Sequence, residues 1–412
     1  MREMKDSGIT WIGEIGRDYR LFRLKNICHI LDEFRKPITA DQRNQDADIL
    51  YDYYGASGII DKIDGYTIDD HVMLIGEDGA NLRLRNLPLM YEVNGKAWIN
   101  NHAHILKPID SIVNFSFLFF LLESLDLNPY ITGSAQPKLN QENLRNIVLP
   151  IPSLPKQQVL ATYIRSRINT IDALIANQQQ QIDKLKQYKQ AVITEAVTRG
   201  LDPNVRMKDS GVEWIGEVPE HWRIIRGKWL FHETNERSKT GEEELLSVSH
   251  ITGITPRSQK NVNMFMAESL VDYKICHVND IASNTMWMWQ GAIGVSKFHG
   301  VISPSYNTYR QTNSDYDSRY LDYMLRIEPI IHEYISRSSG IVASRLRLYP
   351  VDFFEIMFFV PPKNEQQEIV AYLDTNCAKI DALITLKQQK ADKLVQYKKS
   401  LIYEVVTGKR EV

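Results

Sequence analysis

Two long stretches of this chain place an apolar residue at every third or fourth position. Steps of four and three from Ile164 meet Ile168, Ile171, Ile175, Gln178, Ile182, Leu185, Lys189, Val192 and Ala196. The same steps from Leu373 meet Cys377, Ile380, Ile384, Lys387, Ala391, Leu394, Lys398, Leu401 and Val405. A 3.5-residue period is the seam of a coiled coil, because it keeps one stripe of the helix turned toward a partner. The stretches are copies: QQVLATYIRSRINTIDALIANQQQQIDKLKQYKQAVITEAVT from Gln157 recurs as QQEIVAYLDTNCAKIDALITLKQQKADKLVQYKKSLIYEVVT from Gln366, with Tyr163 and Tyr372 separated by 209. Two matching seams in one chain invite pairing, through Ile164, Ile168, Ile171, Ile175, Ile182 and Leu185 on one helix and Leu373, Ile380, Ile384, Leu394 and Leu401 on the other. Gln178 and Lys387 interrupt the stripes at equivalent places, where a polar seam residue sets register at some cost in stability. The run Gln178 to Gln181 otherwise reads as solvated helix surface.

A shorter repeat lies upstream of each helix. MKDSGITWIGEI at Met4 to Ile15 returns as MKDSGVEWIGEV at Met207 to Val218, 203 residues on. Between the repeats the two halves carry unlike, domain-sized sequence. There, short runs of branched and aromatic residues read as strands: Ile49 to Tyr54, His71 to Ile75, Leu87 to Val93 and Ala103 to Leu106, then Leu245 to Val248, Ile275 to Val278, Ile293 to Ser296 and Asn307 to Arg310. Each half adds one apolar helix, near Asn114 to Asp126 or Ser318 to Ile335, a glycine-containing loop and a final apolar strand, Ile147 to Ile151 or Ile356 to Val360. Pro152, Pro155, Pro361 and Pro362 mark the change from domain to helix.

The predicted fold class is therefore α/β (mixed α+β): two globular domains of shared fold joined by a pair of long antiparallel coiled-coil helices, a pseudo-two-fold tandem repeat. The expected boundaries are 1–152 for the lead segment and first domain, 153–203 for the first helix, 204–361 for the second lead and domain, and 362–412 for the second helix. The first helix ends within about ten residues of the second lead segment, so it carries the chain from one domain to the other. To pack on it the second helix must run back, which brings Met4 to Ile15 near its end and closes a ring-like frame.

Composition narrows the role. With 49 basic and 51 acidic residues the net charge is −2, so bulk charge offers no general attraction to nucleic acid or anionic membrane, and any such affinity rests on local patches. Cys28, Cys276 and Cys377 are odd in number and scattered, which fits neither a disulfide framework nor a clustered metal site and points to a reducing, cytoplasmic compartment. The most apolar run, Phe117 to Leu122, falls far short of the ~20 residues that cross a bilayer. No membrane partner is expected.

The tandem layout carries a resemblance. With it go the WIGE strings at Trp11 to Glu14 and Trp214 to Glu217, the GSAQPKLN loop from Gly133 to Asn140, the helix starts PIPSLPKQQ and VPPKNEQQ, and IDALI at Ile171 and Ile380. Together these resemble the specificity subunit of a type I restriction-modification system over essentially the whole chain. Tyr53-Tyr54-Gly55, GEDGANL from Gly76 to Leu82 and NHAHIL from Asn101 to Leu106 resemble one variant of that family's recognition domain, while Lys156-Gln157-Gln158 replaces the family's PEQ-type helix start. The resemblance implies two target recognition domains, each reading half of a bipartite, asymmetric site in double-stranded DNA, and helices that act as ruler and as dock for two methyltransferase subunits. S-adenosylmethionine would bind to those partners, and ATP and Mg to separate motor-nuclease subunits. This chain would bind no cofactor and supply address, not chemistry.

The residues agree with that division. The sequence has no phosphate loop, no glycine-rich turn suited to a methyl-donor nucleotide and no nucleophile elbow, so no catalytic residue and no metal ligand is assigned. Ser303-Pro-Ser-Tyr306 differs by one residue from the S-P-P-Y type motif of adenine methyltransferases, but without a cofactor motif it reads as a turn into the strand from Asn307. His102 and His104 alternate by two and would share a strand face; with no third ligand evident they read as a polar pair. Lys138 and Arg347, 209 residues apart, occupy equivalent loops, as a phosphate-contacting pair or as ordinary solvated cations. Base reading needs exposed amide or guanidinium groups that match purine edges. The candidates are Asn81, Arg83, Arg85, Asn101 and His102 in the first domain and Arg257, Asn284, Gln290, Asn307 and Arg345 in the second. Tyr51, Tyr53, Tyr54 and the cluster Trp287-Met288-Trp289 either meet DNA or pack in a core. A self-contained methyltransferase or nuclease and a purely structural coiled-coil adaptor are the competing readings. Target sequence, spacer length and stoichiometry are not legible.

Overall fold

Both long helices form where the 3.5-residue period places them. In the computed structural model, which describes residues 3–10, 12–43, 47–260, 269–340 and 346–412, they run Leu154–Arg199 and Lys363–Val406. Trp11 and Arg345 lie outside the described residues. Pro155 occupies the first turn of one helix, where its missing N–H costs nothing, and Pro361 and Pro362 immediately precede the other. Each helix gives way to a glycine in the left-handed region, Gly200 at φ +76° and Gly408 at φ +75°, a conformation that a side chain would strain. No helix among the described residues is long and apolar enough to cross a membrane.

The chain forms two compact units, Met1–Gln179 with Gln389–Val412, and Gln180–Gln388. Each contains part of both helices. In the second unit Gln181 pairs with Lys387, and Lys189 meets Asp381 at 2.6 Å; in the first, Asp172 meets Lys398 at 2.8 Å. Rising positions on one helix meet falling positions on the other, so the pair is antiparallel. Ile164, Ile171, Ile182, Leu373, Ile380 and Leu401 are buried in the seam, while Ile168, Ile175, Leu185, Ile384 and Leu394 are half-buried on its flanks. Gln178 is buried as well, whereas Gln179 and Gln180 are exposed, so the glutamine run is surface only in part.

The repeated lead segments fold into the same hairpin. Met4–Asp6 pairs with Glu14–Gly16 and Met207–Asp209 with Glu217–Pro219, both antiparallel. Asp6 and Asp209 each accept the N–H two residues on, at 2.9 Å, and Gly8, Gly13, Gly211 and Gly216 hold φ values from +64° to +69°. Ile12 and Ile15 pack with Leu401, Ile402 and Val405 at the end of the second helix, and Ile215 and Val218 with Ile193, Ala196 and Val197 at the end of the first. The hairpin is therefore a socket for a helix end, filled by the chain's own C-terminal helix in one unit and by the preceding helix in the other.

Beyond the hairpin, Arg20–Arg23 pairs with the final strand Val148–Ile151, and Arg223–Arg226 with Met357–Val360. Between these bookends the unlike sequences build one topology. In the first unit Cys28–Ile30, Ala103–Pro108, Ile68–Gly76 and Met90–Ile99 lie side by side; in the second, Phe231–Thr234, Asn307–Gln311, Ile281–Ser283 and Ile293–Val295 do. All neighbours are antiparallel, and in chain order both sheets run first, fourth, second, third. The first unit extends its sheet with Tyr51–Gly55 and Gly58–Ile63. Ile68–Gly76 shows why its sequence lacks simple alternation: Met73 and Ile75 enter one apolar cluster, Val72 and Leu74 another, so both faces are buried. The expected helix from Ser318 to Ile335 is two helices, Ser318–Met324 and Glu328–Arg337, because Pro329 cannot continue a helix but starts one well.

A buried glutamine ties each domain to its long helix. Gln157 is fully buried; its Oε1 accepts from the backbone N–H of Asn114 at 2.7 Å, and its Nε2 donates to the carbonyls of Pro152 at 2.9 Å and Ile112 at 3.1 Å. Gln366 does the same for Asp317, Pro361 and Asp315, at 2.7, 2.9 and 2.9 Å. Asn114 and Asp317 in turn cap the helices Phe115–Ser124 and Ser318–Met324.

Candidate nucleic-acid interface

In the first unit three chain segments knit together by backbone bonds: Glu77 N–H donates to His102, Leu139 N–H to Glu77 and Gly79 N–H to Pro137, at 2.7 to 3.1 Å. These are the GEDGANL, NHAH and GSAQPKLN segments, far apart in sequence. On them the structure gathers Arg83, which donates to the Gly133 carbonyl at 3.1 Å, His102, whose Nδ1 lies 2.8 Å from Asp78, the exposed Asn101, and Lys138, 3.0 Å from Glu77. Asn81 and Arg85 sit at the edge of this group, and the fold itself uses them. The Asn81 amide spans its own loop, accepting from Leu87 at 2.9 Å and donating to Leu87 and Pro88, while Arg85, at φ +53°, donates to Leu125 and Glu123 carbonyls.

Beneath the loops lies a charged network that the sequence did not single out. His104 is fully buried, with Nδ1 2.7 Å from Asp32 and Nε2 2.8 Å from the Leu139 carbonyl. Both ring nitrogens face acceptors. Arg35 bridges Asp32 and Glu77. Burial pushes the Asp32 and Glu77 carboxyls up, but for Asp32 the hydrogen bond and charge of His104, and for Glu77 the hydrogen bonds from Arg35 and Lys138, outweigh it and hold both below the usual range. His102 and His104 thus do different things, one on the surface and one as a buried strut. Among the described residues no cluster of three or more histidines, cysteines or carboxylates is placed to hold a metal ion.

The second unit assembles its candidates around Tyr306. Asn284, itself buried, donates to the Tyr306 hydroxyl at 2.8 Å; Thr285 donates to the Ser305 carbonyl at 2.8 Å; Asn307 reaches Thr285 at 3.4 Å. Burial raises the Tyr306 phenol, against the opposing charge of Arg257 close by. Residues 303–306 form the turn into the strand Asn307–Gln311, with Tyr306 N–H donating to Ser303. Gln290 is half-buried in the connection between Ile281–Ser283 and Ile293–Val295. Burial pushes the Cys28 and Cys276 thiols up to about 12, away from the reactive thiolate form.

Lys138 and Arg347 share more than spacing. Each closes a loop by a reciprocal pair of backbone bonds, Lys138 with Thr132 at 2.8 Å both ways and Arg347 with Ser339 at 3.0 Å both ways, and both side chains are exposed. Each domain therefore presents an exposed cation at a backbone bridge that precedes its final strand.

Comparison with known proteins matches this architecture. The family model for the type I restriction modification DNA specificity domain matches residues 16–187. A type I restriction enzyme specificity subunit from Methanocaldococcus jannaschii is 25% identical over 98% of this chain and 96% of its own length. One from Haemophilus influenzae is 32% identical over 153 residues, 37% of this chain and 36% of that protein. In fold, a chain of a solved type I R-M system covers 95% of this chain and 98% of its own at a TM-score of 0.66 and 13% identity. The HsdS subunit from Thermoanaerobacter tengcongensis covers 98% and 99% at 0.50, also with 13% identity. Residues 16–187 thus match the type I restriction modification DNA specificity domain, and nearly the whole chain is similar in sequence to a type I restriction enzyme specificity subunit.

Proposed function

We propose that this chain is the DNA-reading subunit of a type I restriction-modification complex, in which each variable domain reads one half of a bipartite, asymmetric site in double-stranded DNA. The observation that carries the reading is one four-stranded core, in the same strand order, supporting two loop clusters of unlike amides, guanidiniums and aromatics. A shared support with different contact groups is what two independent readers require. The domain limits 1–152 and 204–361, with helices over 153–203 and 362–412, define the exchangeable parts.

The antiparallel helices set the spacing and dock two methyltransferase subunits. Supporting this, Leu174 and Leu383, and Tyr188 and Tyr397, are exposed at repeat-equivalent positions, as two copies of one partner would need. S-adenosylmethionine belongs to those partners and ATP with Mg to motor-nuclease subunits; the chain itself transfers no methyl group. The test is methylome sequencing of a host with and without the gene, then with residues 15–150 replaced by another recognition domain. One half-site should change and the other remain. Change in both, or methyl transfer by the purified chain alone, contradicts the proposal.

A further inference from the structure

Two loops of the second unit meet in a run of parallel rings. His250 lies in the turn between Leu246–Ser249 and Gly253–Pro256, and Trp287 and Trp289 in the connection between Ile281–Ser283 and Ile293–Val295. The Trp287 plane is within 13° of His250, with centroids 6.4 Å apart, and within 15° of Trp289, at 6.2 Å. Only Met288 of this triplet turns into the core, 2% exposed, while Trp287 and its neighbour Met286 are each 45% exposed and Ile251 is 75% exposed. Such a cluster of exposed apolar side chains is uncommon on a surface that meets only water.

The backbone that carries the indole is braced. Asn284 accepts from Met286 N–H at 3.2 Å, Trp287 N–H donates to Asn284, Ala292 N–H to Trp287, and the Trp289 indole N–H to the Met286 carbonyl at 3.0 Å. Gly291, at φ +81°, packs so closely on Ile331 that an added Cβ would lie 2.7 Å from its Cδ1. An exposed ring on a braced backbone, stacked between two neighbouring rings, loses less entropy on contact than a free one. The same loops carry Asn284 and Gln290, and Arg257 lies near Tyr306 and Lys260, where burial and then the Arg257 charge lower the lysine's pKa. A close pair of cations and an exposed aromatic shelf on one domain suit a polyanion bearing flat bases.

We propose that Trp287 is a stacking platform for a nucleobase of the DNA read by the second domain, its indole packing on a base at a step where the duplex stack opens. This rests on that domain being a DNA reader, and the test separates the two. The full chain, with methyltransferase partners, is bound to duplexes carrying the methylome-derived motif, with 2-aminopurine placed in turn through the second half-site and its flanks. The wild type should alter emission at one position. Trp287→Ala should abolish that change and weaken binding about 5- to 150-fold with the salt slope unaltered, since stacking releases no counterion. Trp287→Phe should restore most of both, and Trp287→Leu, which keeps apolar area without a π face, should not. Leucine matching phenylalanine, or alanine matching the wild type while the motif is still bound, overturns the stacking role and leaves DNA reading intact. Absence of motif-specific binding by the wild type overturns both.

Discussion

Replacing Gln157 by leucine removes a side chain of similar size that no solvent reaches, and strands one N–H and two carbonyls. A buried polar group without a partner costs roughly 1–3 kcal/mol. The Pro152 carbonyl is buried outright, while the Asn114 N–H and the Ile112 carbonyl sit in half-buried residues that water can partly serve. The sum is about 3–5 kcal/mol, a large share of the ~5–15 kcal/mol that holds a typical domain folded. For a unit of this size that is a fall of roughly 6–20 °C in the unfolding midpoint. Calorimetry of the full chain should show Gln157→Leu moving the transition of the first unit and Gln366→Leu that of the second. Gln157→Glu should be nearly as harmful at pH 7, because a carboxylate still accepts from Asn114 but faces two carbonyls, and should recover in part in acid when the carboxyl can donate one bond. A shift under about 2 °C for both leucine variants would refute the idea that these glutamines carry the joint.

Other outcomes follow from the same geometry. Inserting seven residues at Gln180 and seven at Gln389 keeps both seams in phase and lengthens each helix by about 10 Å, so methylome sequencing should find the spacer longer by about 3 bp with half-sites unchanged; an unaltered spacer means the helices do not set the distance. Lys138→Ala and Arg347→Ala should weaken binding to all sequences alike and each reduce the salt slope by about one, read from affinities across salt concentrations. A changed sequence preference with the same slope would make them base readers. Asp32 and Glu77 have depressed folded pKa values, so the stability they add is present above the unfolded carboxyl range, ~4, and is lost as pH falls through the folded values. Urea midpoints of Asp32→Asn should therefore trail the wild type at pH 7 and approach it below about pH 4; a gap that is constant with pH would show that the network's charge is irrelevant.

The sequence spoke clearly where one physical requirement dominated. A two-helix seam needs apolar groups at fixed steps, so Ile164, Ile171, Ile182, Leu373, Ile380 and Leu401 could be picked by counting. The lead segments were visible as a repeat but not as hairpins, since each strand is only three residues long. Strands such as Gly58–Ile63 and Gly300–Ile302 were missed: they are short, open on glycine, and lack a clean alternation. Among the candidate readers, residue type showed that an amide could match a purine, but not that Asn81 is engaged by its own loop or Asn284 by Tyr306. Trp287-Met288-Trp289 was ambiguous because three consecutive residues on a tight turn cannot all face one way, and the split between core and surface is decided by the chain on either side. Gln157 and Gln366 left a signal that went unread: a glutamine kept in register in both repeats, at a helix start where burial is invisible to periodicity.

The ion pairs between the helices have a consequence for chain length. Lys189 and Lys398 are equivalent in the repeat, and so are Asp172 and Asp381, yet the contacts are Lys189 with Asp381 and Lys398 with Asp172. Each helix therefore carries the lysine of one contact and the aspartate of the other, at the separation its antiparallel partner needs. That is the property of an isologous surface, which is complementary to itself. A gene encoding only one domain and one helix would make a protein able to meet a second copy of itself through the same register, and two identical domains so paired would be related by a two-fold axis.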